Sequence, residues 1–192
     1  MIPGLKEDGS ARSNINQVDN WWHSLADQDR DSHDRTLQSG ETRVTPFVWT
    51  VRVRTDASGT ATVFARNNAF SVGDAISFRT TDIAPSALEL MLGAFCADLT
   101  ATFRSLANRS RITLDALEFS ANCTLNNPLM HIGVRGETGH PGIERIEGTL
   151  YVSADAPPED LEALWAETLK RSPLFNTLQS AVIFELRLSI TP

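Results

Sequence analysis

Large apolar residues occupy every second position early in the central part of the chain, which predicts paired β-strands. In the stretch PFVWTVRVRT these positions are Phe47, Trp49, Val51 and Val53. A period of two places such residues on one face of a strand. The turn residues DASG and a second alternating run, TATVFAR, follow directly, so this segment predicts a β-hairpin. Further short strands are predicted at AFSV and AISFRT, on either side of the Gly73-Asp74 turn.

The apolar positions then change to intervals of three and four residues, which is the period of an α-helix. Pro85 suits a first helical turn, and the polar stretch ANRS ends the pattern. The apolar stripe between them consists of Leu88, Leu92, Phe95, Cys96, Leu99, Phe103 and Leu106. Because this helix is long and carries few charges, we expect it to be central and largely buried.

The second half repeats the order of strands followed by a helix. Strands are predicted at DALEFSANCTL, IERIEGTLYVSAD and AVIFELRLSI. Between the last two, PPEDLEALWAETLKR has proline and acids in its first turn and Lys-Arg in its last turn, as the helix dipole favours. A short helix is predicted at 173–179. The sequence therefore predicts an α+β domain with antiparallel sheets around a long central helix.

The N-terminal segment differs from the rest of the chain. Residues 14–27 have apolar positions at helical spacing and predict an amphipathic helix, which a charged connector follows. We therefore expect two parts: residues 1–44, a polar tail with this appended helix, and residues 45–192, the main domain.

Composition narrows the class of protein. With 17 Lys+Arg against 24 Asp+Glu, the net charge of −7 provides no general attraction to nucleic acid. No run of about 18 apolar residues predicts a membrane span, and no secretory signal is recognisable. Two distant cysteines favour a reducing, cytoplasmic location. The sequence has no His-x-x-x-His pair and no Gly-rich phosphate loop, so we expect neither a metal nor another cofactor.

Three stretches together resemble the osmotically inducible protein C and organic hydroperoxide resistance (OsmC/Ohr) family. They are IAPSALELMLGAFCADLTATF, ITLDALEFSANC and RSPLFNTLQSAVIFELRLSI, and the resemblance covers roughly residues 45–190. It implies an OsmC-like fold and an intertwined homodimer whose two central helices are wrapped by sheets from both chains. It also implies reduction of organic hydroperoxides, in which one thiolate attacks the peroxide and a second cysteine forms a disulfide with it.

The resemblance assigns catalytic residues by position. Cys96 matches the peroxide-attacking cysteine, whose thiolate needs a nearby cation and an acid to polarise it. Arg52 and Arg54 are the candidate cations. Ser86 stands where the family has its activating Glu, so the nearest acid, Glu89, is the candidate partner.

The second cysteine of the family is replaced. Its position is Ser172, a good N-cap before Pro173, and a hydroxyl cannot form a disulfide. Whether Cys123 can reach Cys96 is open.

Two functions follow. The first is thiol-dependent reduction of organic hydroperoxides through Cys96, with an external thiol as the reductant that resolves the sulfenic acid. The second is a stress-associated binding module without turnover. It would hold a small apolar ligand in the dimer cavity near Ser86, Ser172 and Phe175.

Overall fold

The computed structural model describes residues 47–55, 60–79 and 81–191, and residues 50–192 form one compact unit. The helix predicted at 14–27 and the segment 1–44 lie outside the described residues, so the predicted division at residue 45 stays a prediction.

The first sheet contains three antiparallel strands in chain order. They are β1 (Arg52–Thr55), β2 (Ala61–Ala65) and β3 (Asn68–Val72), and β1 and β2 confirm the predicted hairpin. The strand predicted at AISFRT was wrong, because residues 75–79 form no strand. The Ser77 hydroxyl instead donates to the Asp82 carboxylate at 2.6 Å and contacts the Arg79 carbonyl at 2.9 Å, which curls this segment into a local turn.

The long helix, α1, runs over Ala87–Arg109 and begins with a capping box. The Ser86 hydroxyl accepts a hydrogen bond from the Glu89 N–H, and the Glu89 carboxylate accepts one from the Ser86 N–H. Pro85 therefore precedes the cap and does not lie in the first turn as predicted. The capping box therefore satisfies the backbone N–H groups of Ser86 and Glu89, which would otherwise have no partner at the start of the helix.

One side of α1 is buried and the other is exposed. The buried side carries Phe95, Leu99, Phe103, Leu106 and Ala107. Gly93, Ala94 and Ala97 are exposed, so the prediction of a largely buried helix is right for one side only. The physical reason is that, among the residues the structure describes, only one sheet packs against α1. The length and mean hydropathy of α1 would also suit a membrane span, although its apolar stripe forms the core of the domain.

The second sheet lies under the buried side of α1. Its strands are β4 (Leu114–Leu125), β5 (Ile143–Ala154) and β6 (Ile183–Ile190), in that order, and a short 3₁₀ helix at Pro128–Met130 lies between β4 and β5.

The pairing of β4 with β5 is antiparallel as predicted, whereas β5 and β6 are parallel. This direction follows from the connection, because α2 (Pro158–Arg171) and α3 (Pro173–Leu178) return the chain to the end of the sheet where β5 began.

The core forms between this sheet and the helices in two clusters. Phe103 packs with Leu150 and Leu161 in the first, and Phe95 packs with Leu99 and Ile146 in the second. The inward alternation predicted for β4, including Phe119 and Cys123, is confirmed. Gly148 lies on the inner face of β5, where an added Cβ would lie 2.6 Å from the Phe119 ring. Glycine is therefore required there for the ring to pack.

Candidate functional site

Ser172 connects two helices and is completely buried. It ends α2, where its N–H donates to the Thr168 carbonyl at 2.9 Å, and it is the N-cap of α3. Its hydroxyl accepts a hydrogen bond from the Phe175 N–H at 2.9 Å and donates to the Asp98 carboxylate at 2.5 Å. The capping role predicted for Ser172 is confirmed by the first of these bonds.

Asp98 brings the carboxylate of the central helix to the start of α3. Besides the Ser172 hydroxyl, the same oxygen accepts the Leu174 N–H at 3.1 Å, and the Thr102 hydroxyl lies 3.5 Å from the other oxygen. Two unpaired groups at the beginning of α3 are thereby satisfied by one side chain of α1. We name this arrangement, formed by Asp98 and Ser172, the Asp–Ser lock.

Sequence reasoning missed Asp98. The signal was present, because Asp98 is the only charged residue between Leu90 and Phe103, in the apolar middle of the helix. An acid at such a position needs a polar partner, since burying an unpaired charge is costly. The partner lies 74 residues away along the chain and is brought near only by the fold.

Cys96 lies on a different side of α1 from Asp98. Two residues along an α-helix correspond to a rotation of about 200°, so the side chain directed at Ser172 is Asp98 and not Cys96. Cys96 is half-buried beside the apolar stripe. This burial raises the pKa of the Cys96 thiol, opposed only by a hydrogen bond to its own backbone, and no cation lowers it within the part of the chain that the structure describes.

The predicted cations and acid make contacts of their own. The Arg52 guanidinium lies over the Phe64 ring, 4.5 Å from its centroid, which joins neighbouring strands of the first sheet. Arg54 is exposed on the same strand. The Glu89 carboxylate accepts from both the side chain and the N–H of Ser86 at 2.7 Å, and these two hydrogen bonds lower the pKa of Glu89. Both Ser86 and Glu89 are therefore engaged in starting α1.

Phe175 and Cys123 are parts of the second core cluster. The Phe175 ring packs on Phe184 with centroids 5.1 Å apart, and Phe95 stacks on the same ring at 5.3 Å. Burial raises the pKa of the Cys123 thiol, and neither cysteine is in a disulfide. Among the described residues, no group of three or more His, Cys, Asp or Glu side chains could hold a metal ion.

A long helix laid on a three-stranded sheet, with a separate three-stranded sheet before it, defines an α+β protein of the OsmC-like class. The family model for OsmC-like proteins matches residues 80–187, more than half of the chain, so this chain belongs to the OsmC-like family. The predicted α+β class with a long central helix and the predicted family are thus confirmed.

Solved structures support the same fold. The chain is similar to an OsmC-like protein from Mycoplasma pneumoniae, with a TM-score of 0.65, 16% identity and coverage of 77% of this chain and 100% of that one. For an organic hydroperoxide resistance protein from Legionella pneumophila, the TM-score is 0.54 at 16% identity, covering 76% and 98%. For OhrB of Bacillus subtilis it is 0.51 at 17%, covering 74% and 98%. No curated protein matches the chain.

Proposed function

We propose that this protein is a binding member of the OsmC-like family that does not carry out the two-cysteine reduction of hydroperoxides. The observation that supports this proposal is the Asp–Ser lock. The side chain of α1 that faces position 172 is a carboxylate, that of Asp98. The Ser172 hydroxyl donates a hydrogen bond to it at 2.5 Å. A carboxylate and a hydroxyl cannot pass between thiol and disulfide states, so the pair has no redox chemistry.

The state of Cys96 agrees with this proposal. A thiol attacks peroxide as the thiolate, and burial raises the pKa of Cys96, so little thiolate is present at neutral pH. The side chains expected to polarise it have other contacts, since Arg52 lies on Phe64 and Glu89 caps α1. The family scaffold is retained while these groups serve its stability.

Consumption of an organic hydroperoxide tests the proposal. Wild type and Cys96→Ser are compared with cumyl hydroperoxide, first with a dithiol and then with a monothiol as reductant. We expect equal background rates for both proteins, and native mass spectrometry of the purified protein should show a bound small molecule. Turnover that depends on Cys96 would contradict the proposal.

The second candidate is one-cysteine reduction of organic hydroperoxides through Cys96. It is favoured by the half-exposed position of Cys96 on α1, where an external thiol could resolve a sulfenic acid. Under this candidate, Cys96-dependent turnover appears with either reductant and persists in Cys123→Ser.

A cysteine introduced at position 172 separates the two candidate positions on α1. If Cys96 were the side chain that meets position 172, Ser172→Cys in a Cys123→Ser background would form a disulfide with it under mild oxidation. We expect none, because Asp98 occupies that side of the helix. The matched variant combines Ser172→Cys with Asp98→Cys. It also carries Cys96→Ser and Cys123→Ser, so the two introduced cysteines are its only thiols. We expect this variant to form the bond.

We also propose that two copies of the chain form a homodimer. This proposal is supported by the exposed small residues Gly93, Ala94 and Ala97 on the first half of α1, and by Val51 and Val53 on or beside β1, which are 62% and 56% exposed. Contiguous exposed apolar surface marks interaction sites. We expect Ala97→Glu to give a monomer in light scattering at micromolar concentration, whereas Ala163→Glu, at an exposed position of α2, should not. A monomeric wild type would contradict the dimer.

A further inference from the structure

A groove of about 360 Å³ lies between the second half of α1 and the end of α2. It is lined by Ala101, Thr102, Ser105, Leu106, Arg109 and Arg171. From residue 101 to residue 109, α1 rises by about 12 Å, which sets the length of the groove. It continues the side of α1 that carries Asp98 and is turned away from Cys96, so it is separate from the candidate thiol site.

Several hydrogen-bond donors in the groove make no hydrogen bond to the described residues. Arg109 makes no hydrogen bond or ion pair with any residue that the structure describes, and the same is true of the Ser105 hydroxyl. Arg171 donates its Nε–H to Glu167, which fixes the guanidinium, while its terminal NH₂ groups find no partner among the described residues. A guanidinium carries five N–H donors, so both arginines can still bind an anion.

The neighbouring acids already accept hydrogen bonds from other groups. Glu167 binds Arg171 and lies 3.6 Å from Lys170, and the hydrogen bond from Arg171 is the main cause that lowers the pKa of Glu167. The oxygens of Asp98 accept from Ser172, Leu174 and Thr102. Arg109 therefore has no ion-pair partner among the described residues, whereas Arg171 is paired with Glu167, in a chain whose net charge is −7.

The groove also has an apolar part. Ala101 and Leu106 contribute apolar surface to the lining, and Leu106 extends from the core beneath. A ligand that satisfies both parts needs an anionic head for the guanidinium groups and an apolar tail for this surface. An inorganic anion would leave the apolar surface uncovered, and a neutral lipid would leave the donors unpaired.

We propose that this groove binds an amphipathic carboxylate, with the carboxylate on the Arg109 guanidinium and its alkyl chain along Ala101 and Leu106. The inference rests on the proposed binding function and supplies its ligand class. A carboxylate suits the planar fork of arginine, which it can bind through two parallel hydrogen bonds. The Ser105 hydroxyl lies one helical turn before Arg109 on the same helix and is available as a further donor.

Calorimetric titration of the full chain with decanoate, decanol and inorganic phosphate tests the proposal. We expect decanoate to bind once per chain and Arg109→Gln to weaken it at least about tenfold. Decanol should bind at least tenfold more weakly than decanoate. Arg104→Gln is the matched control, because Arg104 is an exposed arginine of α1 outside the groove, and it should leave the affinity within about twofold. Ser105→Asp places a like charge in the groove and should abolish binding.

Three results would overturn the inference. They are no binding of decanoate, equal binding by wild type and Arg109→Gln, and binding of phosphate as tight as that of decanoate, which would indicate a simple anion site. These results are distinguishable from failure of the proposed function, which the Cys96-dependent consumption of hydroperoxide decides. Arg109 is exposed and unpaired among the described residues, so its substitution should not unfold the chain.

Discussion

Removing the Asp–Ser lock should destabilise the domain by an amount that the hydrogen bonds predict. Asp98→Ala deletes the acceptor of both the Ser172 hydroxyl and the Leu174 N–H. Hydrogen bonds to a charged group contribute about 1.5–3 kcal/mol each, and Asp98 is only half-buried, so the lower value applies and the total is about 3 kcal/mol. Ser172→Ala removes the N-cap of α3 and one of these bonds, for about 2 kcal/mol.

The interaction between the two side chains is measured by a double-mutant cycle. Urea unfolding followed by circular dichroism gives the free energy of unfolding of wild type, both single variants and the double variant. Because both single substitutions delete the same hydrogen bond, the double variant should be less destabilised than their sum, by about 1.5 kcal/mol. For a chain of this size, 3 kcal/mol corresponds to a decrease in Tm of about 6–12 °C.

Matched controls remove general effects of the substitutions. Ser105→Ala and Asp115→Ala delete an exposed serine and an exposed aspartate, and each should change the free energy of unfolding by less than about 0.5 kcal/mol. The reasoning is refuted if Asp98→Ala and Ser172→Ala are as mild as these controls, or if their effects are simply additive.

Three further predictions concern the thiols and the start of α1. With Cys123→Ser leaving a single thiol, alkylation of Cys96 should rise with a midpoint above the ordinary value of 9.0, and a midpoint near neutrality would show an activated thiolate. Hydrogen bonds from Ser86 lower the pKa of Glu89, so the stability they give is fully present above pH 4.5 and is lost as the pH falls through the folded-state pKa. Glu89→Gln should therefore make the free energy of unfolding depend less on pH in this acidic range. The control Glu162→Gln should leave that pH dependence unchanged. In the Cys96→Ser, Cys123→Ser background, the introduced cysteines at 98 and 172 should lose both thiols on oxidation, measured by thiol titration and reversed by a dithiol. Two thiols remaining after oxidation would place α1 differently.

The periodicity of the sequence determined most of the secondary structure. Alternation every second residue placed β4 and β5, and helical spacing together with terminal acids and bases placed α2. These features are local, since an apolar face must be buried whatever its partner is. The combination of the helix stretch with the Ser-Pro segment was also sufficient to indicate the family, which the family model confirms over residues 80–187.

The contacts across the sequence were decided by the tertiary structure alone. The pattern of β6 shows an alternating strand, but its parallel pairing with β5 depends on the path of α2 and α3. Likewise, the sequence drew attention to Cys96 as a thiol on an apolar helix, whereas the residue that meets Ser172 is Asp98. A rotation of about 200° separates these two positions on α1, so only one of them can face Ser172. Sequence spacing determines which residues share a helix face. Which face meets a segment 74 residues away depends on how the sheet and helices pack together.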